Sequence, residues 1–177
     1  MNPQPSTTRP DTSEYAPYYG RYVDLVQKNN ILQVLSAQIE NTVWYLRTIS
    51  DSKGDYRYAP DKWSIKEIIG HMVDTERVFA YRALSIARSD RARLPGFEQD
   101  DWVRAAGFGS QKLAEVVSEF ECVRRSNLYF FQHLNEDAWM RRGIASDREF
   151  TVRAIAYIIA GHELHHVKVL QTKYLQP

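Results

Sequence analysis

Thr151–Tyr174 reads TVRAIAYIIAGHELHHVKVLQTKY, and its periodicity decides the fold. Val152, Ile155, Ile159, His162, His166 and Val169 recur at alternating steps of three and four, the spacing of one helical face. The two histidines continue the aliphatic row, so they point inward. At 3.6 residues per turn, positions four apart lie one turn apart and only about 40° around the axis, so both imidazoles can reach one point. That is half of a metal site, in which neutral imidazole nitrogens bind a borderline cation such as Zn2+ at about 2.0–2.1 Å. A lone inward histidine is usually a hydrogen-bonded core residue. Two on one seam, with His165 next door, are harder to explain as packing. His165 lies about 60° from His162 on the opposite side, so a His162/His165 pair is the geometric alternative, although it leaves the seam. A third ligand must come from elsewhere in the chain.

The composition narrows the classes. A chain of 177 residues is most simply one domain, long enough to bury a core without staples. A formal net charge of +1 and the absence of a long basic run give no general attraction to nucleic acid or an anionic membrane. One cysteine makes no internal disulfide and fits a reducing compartment. With no apolar run of about 18 residues and no apolar signal-peptide region at the start, the expected location is the cytoplasm.

Along the chain, residues 1–14 (MNPQPSTTRPDTSE) are Pro-, Ser- and Thr-rich with little to bury, and a disordered tail is expected. The folded domain then spans 15–177, beginning with a tyrosine-rich strap or short helix over Tyr15–Val26. A first long helix starts at Asn30, with Gln33 placed to return the capping bond, and its stripe is Leu32, Leu35, Ile39, Leu46 and Ile49. Ser64 and Glu67 form a capping box for a second helix, with Trp63 and Ile68 as a hydrophobic staple. Its buried face is Ile65, Ile68, Met72, Thr75 and Phe79, and His71 sits on the flank of that stripe. DRARLPGFEQDDWVRAAGFG, residues 90–109, is too long for a tight turn and reads as a crossover or lid. A third helix is expected from Ser110 to about Leu134, with Leu113, Val117, Phe120, Leu128 and Phe131 inward. A polar connection over Trp139–Phe150 leads to the fourth. Four amphipathic segments without alternating strands give an all-α four-helix bundle with a long crossover between helices 2 and 3.

Bundle cores are where facing helices build metal sites, which makes His71 the natural third ligand for His162 and His166. Three histidines with open coordination positions form a catalytic type of site rather than a closed structural one. Asp74 and Glu67, one turn either side of His71, are placed to orient its ring, although Glu67 is fully explained by the capping box. Glu76, Arg77 and especially Arg82 are candidates for the mouth of the site, where a cation would receive an anionic substrate. His133 reads as helix-end polarity and Cys122 as structural. Phe97–Trp102 either covers the site or seals a dimer contact.

WSIKEIIGHMVDTERVFAYRAL, LPGFEQDDW and IAGHELHHVKVL together resemble the DinB/YfiT-like superfamily, regarded as metalloenzymes and distinct from the DNA polymerase that shares the DinB name. The likeness covers about Tyr18 to Tyr174. It implies a four-helix bundle, often a homodimer, and one divalent cation, commonly Zn2+ or Ni2+, held by one histidine of the second helix and two of the fourth. On this chain those are His71, His162 and His166, with Asp74, Arg82 and His165 around them. Relatives with known activities include transferases that use a low-molecular-weight thiol. The first expectation is therefore a thiol-dependent S-transferase of detoxification type acting on a small molecule. A metal-dependent hydrolase, and a non-catalytic stress-response protein with a structural metal, are the alternatives.

Overall fold

The structure is a computed structural model that describes residues 7–175. Its helices are α1 (Gly20–Val23), α2 (Ile31–Arg47), α3 (Ile65–Ala87), α4 (Gln99–Ala106), α5 (Leu113–Gln132), α6 (Glu136–Met140) and α7 (Val152–Val169). The long ones, α2, α3, α5 and α7, form a four-helix bundle. Around it, α3 packs on α7 and α5, and α2 packs on the same two. The consecutive helices α2 and α3 thus share neighbours rather than a common face.

Local chemistry sets the ends. The Ser64 hydroxyl accepts from the Glu67 amide at 3.2 Å and the Glu67 carboxylate accepts from the Ser64 amide at 2.6 Å, which satisfies two otherwise orphaned donors at the start of α3. Asn30 caps α2 by accepting from the Gln33 amide, while the reciprocal bond expected from the Gln33 side chain does not form. The α5 helix starts two residues later than a Ser110 cap implies. Ser110 lies in a 3-10 turn, and Leu113 donates instead to the Asp51 carboxylate at 2.8 Å.

Three expectations are corrected. The polar connection over Trp139–Phe150 contains the end of α6 and an antiparallel hairpin, β1 (Arg142–Ala145) and β2 (Arg148–Thr151). Its turn is Ser146–Asp147, with φ of 49° and 58°, the left-handed pair a two-residue hairpin requires but without the Asn-Gly signature that announces it. Trp139 is a core residue, stacked on Phe131 at 5.5 Å. The expected tail of residues 1–14 lies outside the described residues over 1–6, but from Thr7 onward the chain packs. Asp11 opens a capped 3-10 turn, Thr12–Glu14, and Glu14, only 3 % exposed, accepts from the Thr151 hydroxyl at 2.7 Å and from Arg153. A carboxylate met by a guanidinium and a hydroxyl holds this segment to the start of α7 despite its low apolar content.

From there the strap continues through α1 over α7. A side chain at Gly161 would place its Cβ 2.0 Å from the Tyr22 carbonyl oxygen, so only glycine lets the strap approach the turn that carries His162. At the other end of α7 a π-turn, Leu170–Tyr174, brings the Tyr174 hydroxyl to the Trp63 carbonyl at 2.6 Å. Both ends of the seam are therefore clamped around the histidines.

Burial alone would raise the Glu14 carboxyl, but hydrogen bonds from Arg153, the Asp11 amide and Thr151 more than offset it and hold it below the ordinary value. Its contribution to stability is accordingly complete above the unfolded carboxyl value of about 4.3 and disappears as pH falls through the lower folded one. Glu14→Gln is expected to cost about 1–3 kcal/mol at pH 7 in urea unfolding, and the difference from wild type should shrink as the pH drops below about 4. A gap that persists unchanged in acid would refute this role for Glu14.

Candidate metal centre

The α3 helix contributes His71, and one turn of α7 contributes His162 and His166. The Nε2 atoms of His71 and His162 are 3.1 Å apart, and those of His166 and His162 are 3.0 Å apart. The three rings form a group able to hold a metal ion. Two ligands about 2.0–2.1 Å from a common ion, at angles between square and tetrahedral, stand roughly 3 Å apart, so the spacing fits. The donor set fits as well. Burial first, and then the charges that neighbouring histidines would carry, push His71 down to about 4 and His162 and His166 well below the usual imidazole value. At neutral pH three uncharged rings therefore face one another through nitrogens, and each Nε2 that carries no proton has a lone pair to offer a cation.

His165 stays outside the group, half-buried with its ring 5.6 Å from Tyr22, so the seam pair and not the His162/His165 pair meets His71. Trp63 lies against the His71 ring at 4.7 Å. The Thr75 hydroxyl lies 3.4 Å from both Nδ1 and Nε2 of that ring. Asp74 does not orient His71. It lines a groove with Arg77, Tyr81 and Trp102, because one helical step past the seam turns it outward. Arg77 pairs with Glu119 at 2.7 Å. Arg82 is buried and donates to the Pro95 carbonyl at 2.8 Å and the Ser146 hydroxyl at 2.9 Å, tying the 90–109 loop to the hairpin instead of receiving a substrate. Glu67 pairs with Arg57 beyond its capping role, and Cys122 is exposed on α5.

Glu76 is the largest departure. It is buried and takes a bidentate pair from Arg124, Nε at 2.7 Å and Nη2 at 2.9 Å, plus the Asn127 amide at 3.2 Å. Arg124 Nη1 also approaches Glu163 at 2.6 Å, and Glu163 accepts from Thr42 at 2.5 Å. Burial raises the Glu163 carboxyl against the pull of Arg124. Burial alone would lower Arg124, yet Glu163 and Glu76 hold it above its ordinary value.

Glu163 is invisible to the spacing of the histidines but not to motif: residues 162–166 read HELHH, which satisfies HExxH. In that helical zinc motif the glutamate serves as general base. Here its side chain is 2 % exposed and committed to Thr42 and Arg124, so it faces the core rather than a reactant.

Two clefts flank the histidines. One, of about 330 Å3, is lined by His71 and His162 together with Tyr18, Tyr19, Tyr22, Thr75, Phe79, Phe97, Glu98, Gln99 and Asp100. The other, of about 310 Å3, is bordered by His165, His166, Trp63, Tyr58 and Tyr174. Asp100, on the first turn of α4, borders both. A further cavity of about 360 Å3 lies by the hairpin, away from the histidines.

Residues 35–170 match the DinB superfamily. The chain belongs to that family. No protein with a curated description matches it. Among solved structures the DinB chain is similar to YfiT from Bacillus subtilis, with a TM-score of 0.66, 12% identity and 94% of each chain covered. That protein is described as a probable metal-dependent hydrolase with an unusual four-helix bundle topology. At this identity the likeness concerns the fold.

If the triad holds a metal, protein purified without a histidine tag is expected to contain about one divalent ion per chain by elemental analysis. His71→Ala, His162→Ala and His166→Ala should each lose it, and His165→Ala should keep it. Retained metal in any of the first three, with the fold intact by circular dichroism, would discard that residue as a ligand.

Proposed function

We propose that this DinB-superfamily protein is a metal-dependent hydrolase, with His71, His162 and His166 holding one divalent cation, Zn2+ or Ni2+. The observation that carries the reading is that the three Nε2 atoms converge between two clefts with room for a small molecule, His71 and His162 lining one and His166 the other. A purely structural ion is normally closed off by a fourth protein ligand, and among the described residues no fourth His, Cys, Asp or Glu joins this group. When bound, such a cation acts as a Lewis acid and lowers the pKa of a water toward neutrality.

The chain's own residues supply the remainder. Asp100 is exposed, and no hydrogen bond or ion pair engages it among the described residues, so its carboxylate is available to accept a proton from either cleft. Burial first, and then Tyr18, push the Tyr22 phenol up to about 12. It remains protonated and can donate a hydrogen bond to a substrate oxygen. Thr75 and Trp63 hold the His71 ring against rotation.

The same lining supports hydrolysis over the thiol transfer first expected. Carrying a low-molecular-weight thiol with anionic groups calls for cationic contacts; no Lys or Arg lines the cleft over His71 and His162, and Lys62 is the one such residue bordering the cleft over His166. The description of YfiT as a probable metal-dependent hydrolase points the same way. A small-molecule substrate and a homodimer belong to this proposal. No helix among the described residues is long and apolar enough to cross a membrane.

The test is a panel of activated esters and amides assayed with metal-loaded and chelated protein. Chelation and His162→Ala are each expected to cost at least about a hundredfold in rate, with recovery on adding metal back to wild type only. Turnover that survives chelation would reject the proposal. A rise in melting temperature on adding a thiol such as bacillithiol, with no hydrolysis of any substrate, would instead favour transfer.

A further inference from the structure

The charged cluster behind the histidines has no part in water activation as argued above. Arg124, Glu163 and Glu76 are 1 %, 2 % and 3 % exposed, and with both carboxylates ionised the one guanidinium leaves a single negative charge uncompensated. Burying ions costs several kcal/mol each, and an excess of one sign deep in a fold is harder to sustain than a neutral pair. A ligand of opposite charge nearby would explain the excess. The cluster borders a void of about 10 Å3 whose wall also includes His162 and Thr75, room for about one water. Two of its atoms, Arg124 Nη1 and Glu163 Oε2, lack a hydrogen-bonded partner, although they stand 2.6 Å apart as an ion pair. The cluster is thus separated from the triad by no more than a ring and a water-sized gap.

We infer that Glu76 and Glu163 are the counter-charge for the cation of the triad, with Arg124 holding both carboxylates in place behind His162. Three neutral imidazoles bring no charge to a dication, so its full charge would otherwise enter a poorly solvated site. One net negative charge in the adjoining layer lowers that cost through space. Neither glutamate is a ligand or touches a reactant. They act through position, and the glutamate of HExxH serves as an electrostatic support instead of a base. The inference rests on the proposed metal site but not on hydrolysis.

The experiment measures Zn2+ affinity by chelator competition, and the melting temperature of the metal-free protein, for wild type, Glu76→Gln, Glu163→Gln and Thr42→Val. Each glutamine variant leaves Arg124 one carboxylate and removes the excess charge. Both should weaken Zn2+ binding about tenfold or more, without a matching loss of metal-free stability. Thr42→Val breaks the bond to Glu163 at constant charge, so it should lower the melting temperature and leave affinity within about twofold. Affinity unchanged in both glutamine variants, or lost equally in Thr42→Val, would overturn the counter-charge role and leave a structural cluster. If one glutamine variant fails to fold, the other decides alone. Absence of Zn2+ binding by wild type would overturn the triad and this role together, whereas tight binding without turnover would overturn only the hydrolase.

Discussion

Two imidazole nitrogens, Nε2 of His71 and of His166, are brought within 3.1 Å of His162 Nε2 in surroundings that disfavour adding a proton to any of the three rings. Neutral imidazoles at this spacing either share an N–H between two ring nitrogens or turn unprotonated nitrogens toward a common cation, and burial disfavours adding a further proton. Much of the local structure enforces this convergence. Gly161 admits the strap, Tyr22 braces His162 with rings 5.3 Å apart, and the C-terminal π-turn fixes Trp63 against His71. Packing of α3 on α7 then brings the two halves together from positions 91 residues apart in sequence.

The fold and the triad were legible because both are periodic. A helix of 3.6 residues per turn converts steps of three and four into one face, and histidines on such a row inherit its direction. Asp74 and Arg82 were misplaced for the converse reason, since a row gives the direction of a side chain but not its partner. The loop and hairpin that occupy Arg82 are joined to α3 only in three dimensions. The hairpin itself was illegible, being two four-residue strands around Ser-Asp, without alternation long enough to register. Glu14 was lost to composition, because a polar segment can be held by one buried ion pair that no local pattern displays.

The cluster of Glu76, Arg124 and Glu163 was legible in principle. Arg124 falls between Phe120 and Leu128 at steps of four, and Glu76 stands four residues after Met72 and three before Phe79. A charge on an apolar seam is a stronger sign than a charge on a helix in general, because it must be buried and therefore paired. Opposite charges on the seams of two packed helices predict one another. HExxH shows the complementary limit of motif reading. Spacing assigns a glutamate to a metal-binding turn, but what surrounds that turn determines whether it meets water or an arginine.

Access to the triad gives the remaining constraint on chemistry. One cleft opens toward aromatic rings and the acids Glu98 and Asp100, and the other toward Tyr58, Lys62 and Tyr174. The α4 turn that carries Asp100 lies over both. Carboxylates are common in the first turn of a helix because the dipole favours them, and that alone accounts for Asp100 and Asp101 as a pair. It does not separate them, yet their settings differ: Asp101 is taken up by Arg104, while Asp100 faces the clefts. A neutral or cationic group can approach the histidines past such a rim more easily than an anion, because desolvated like charges repel most where water is scarce. The segment that the sequence presents as a crossover or lid thus places a negative charge at the rim of both clefts.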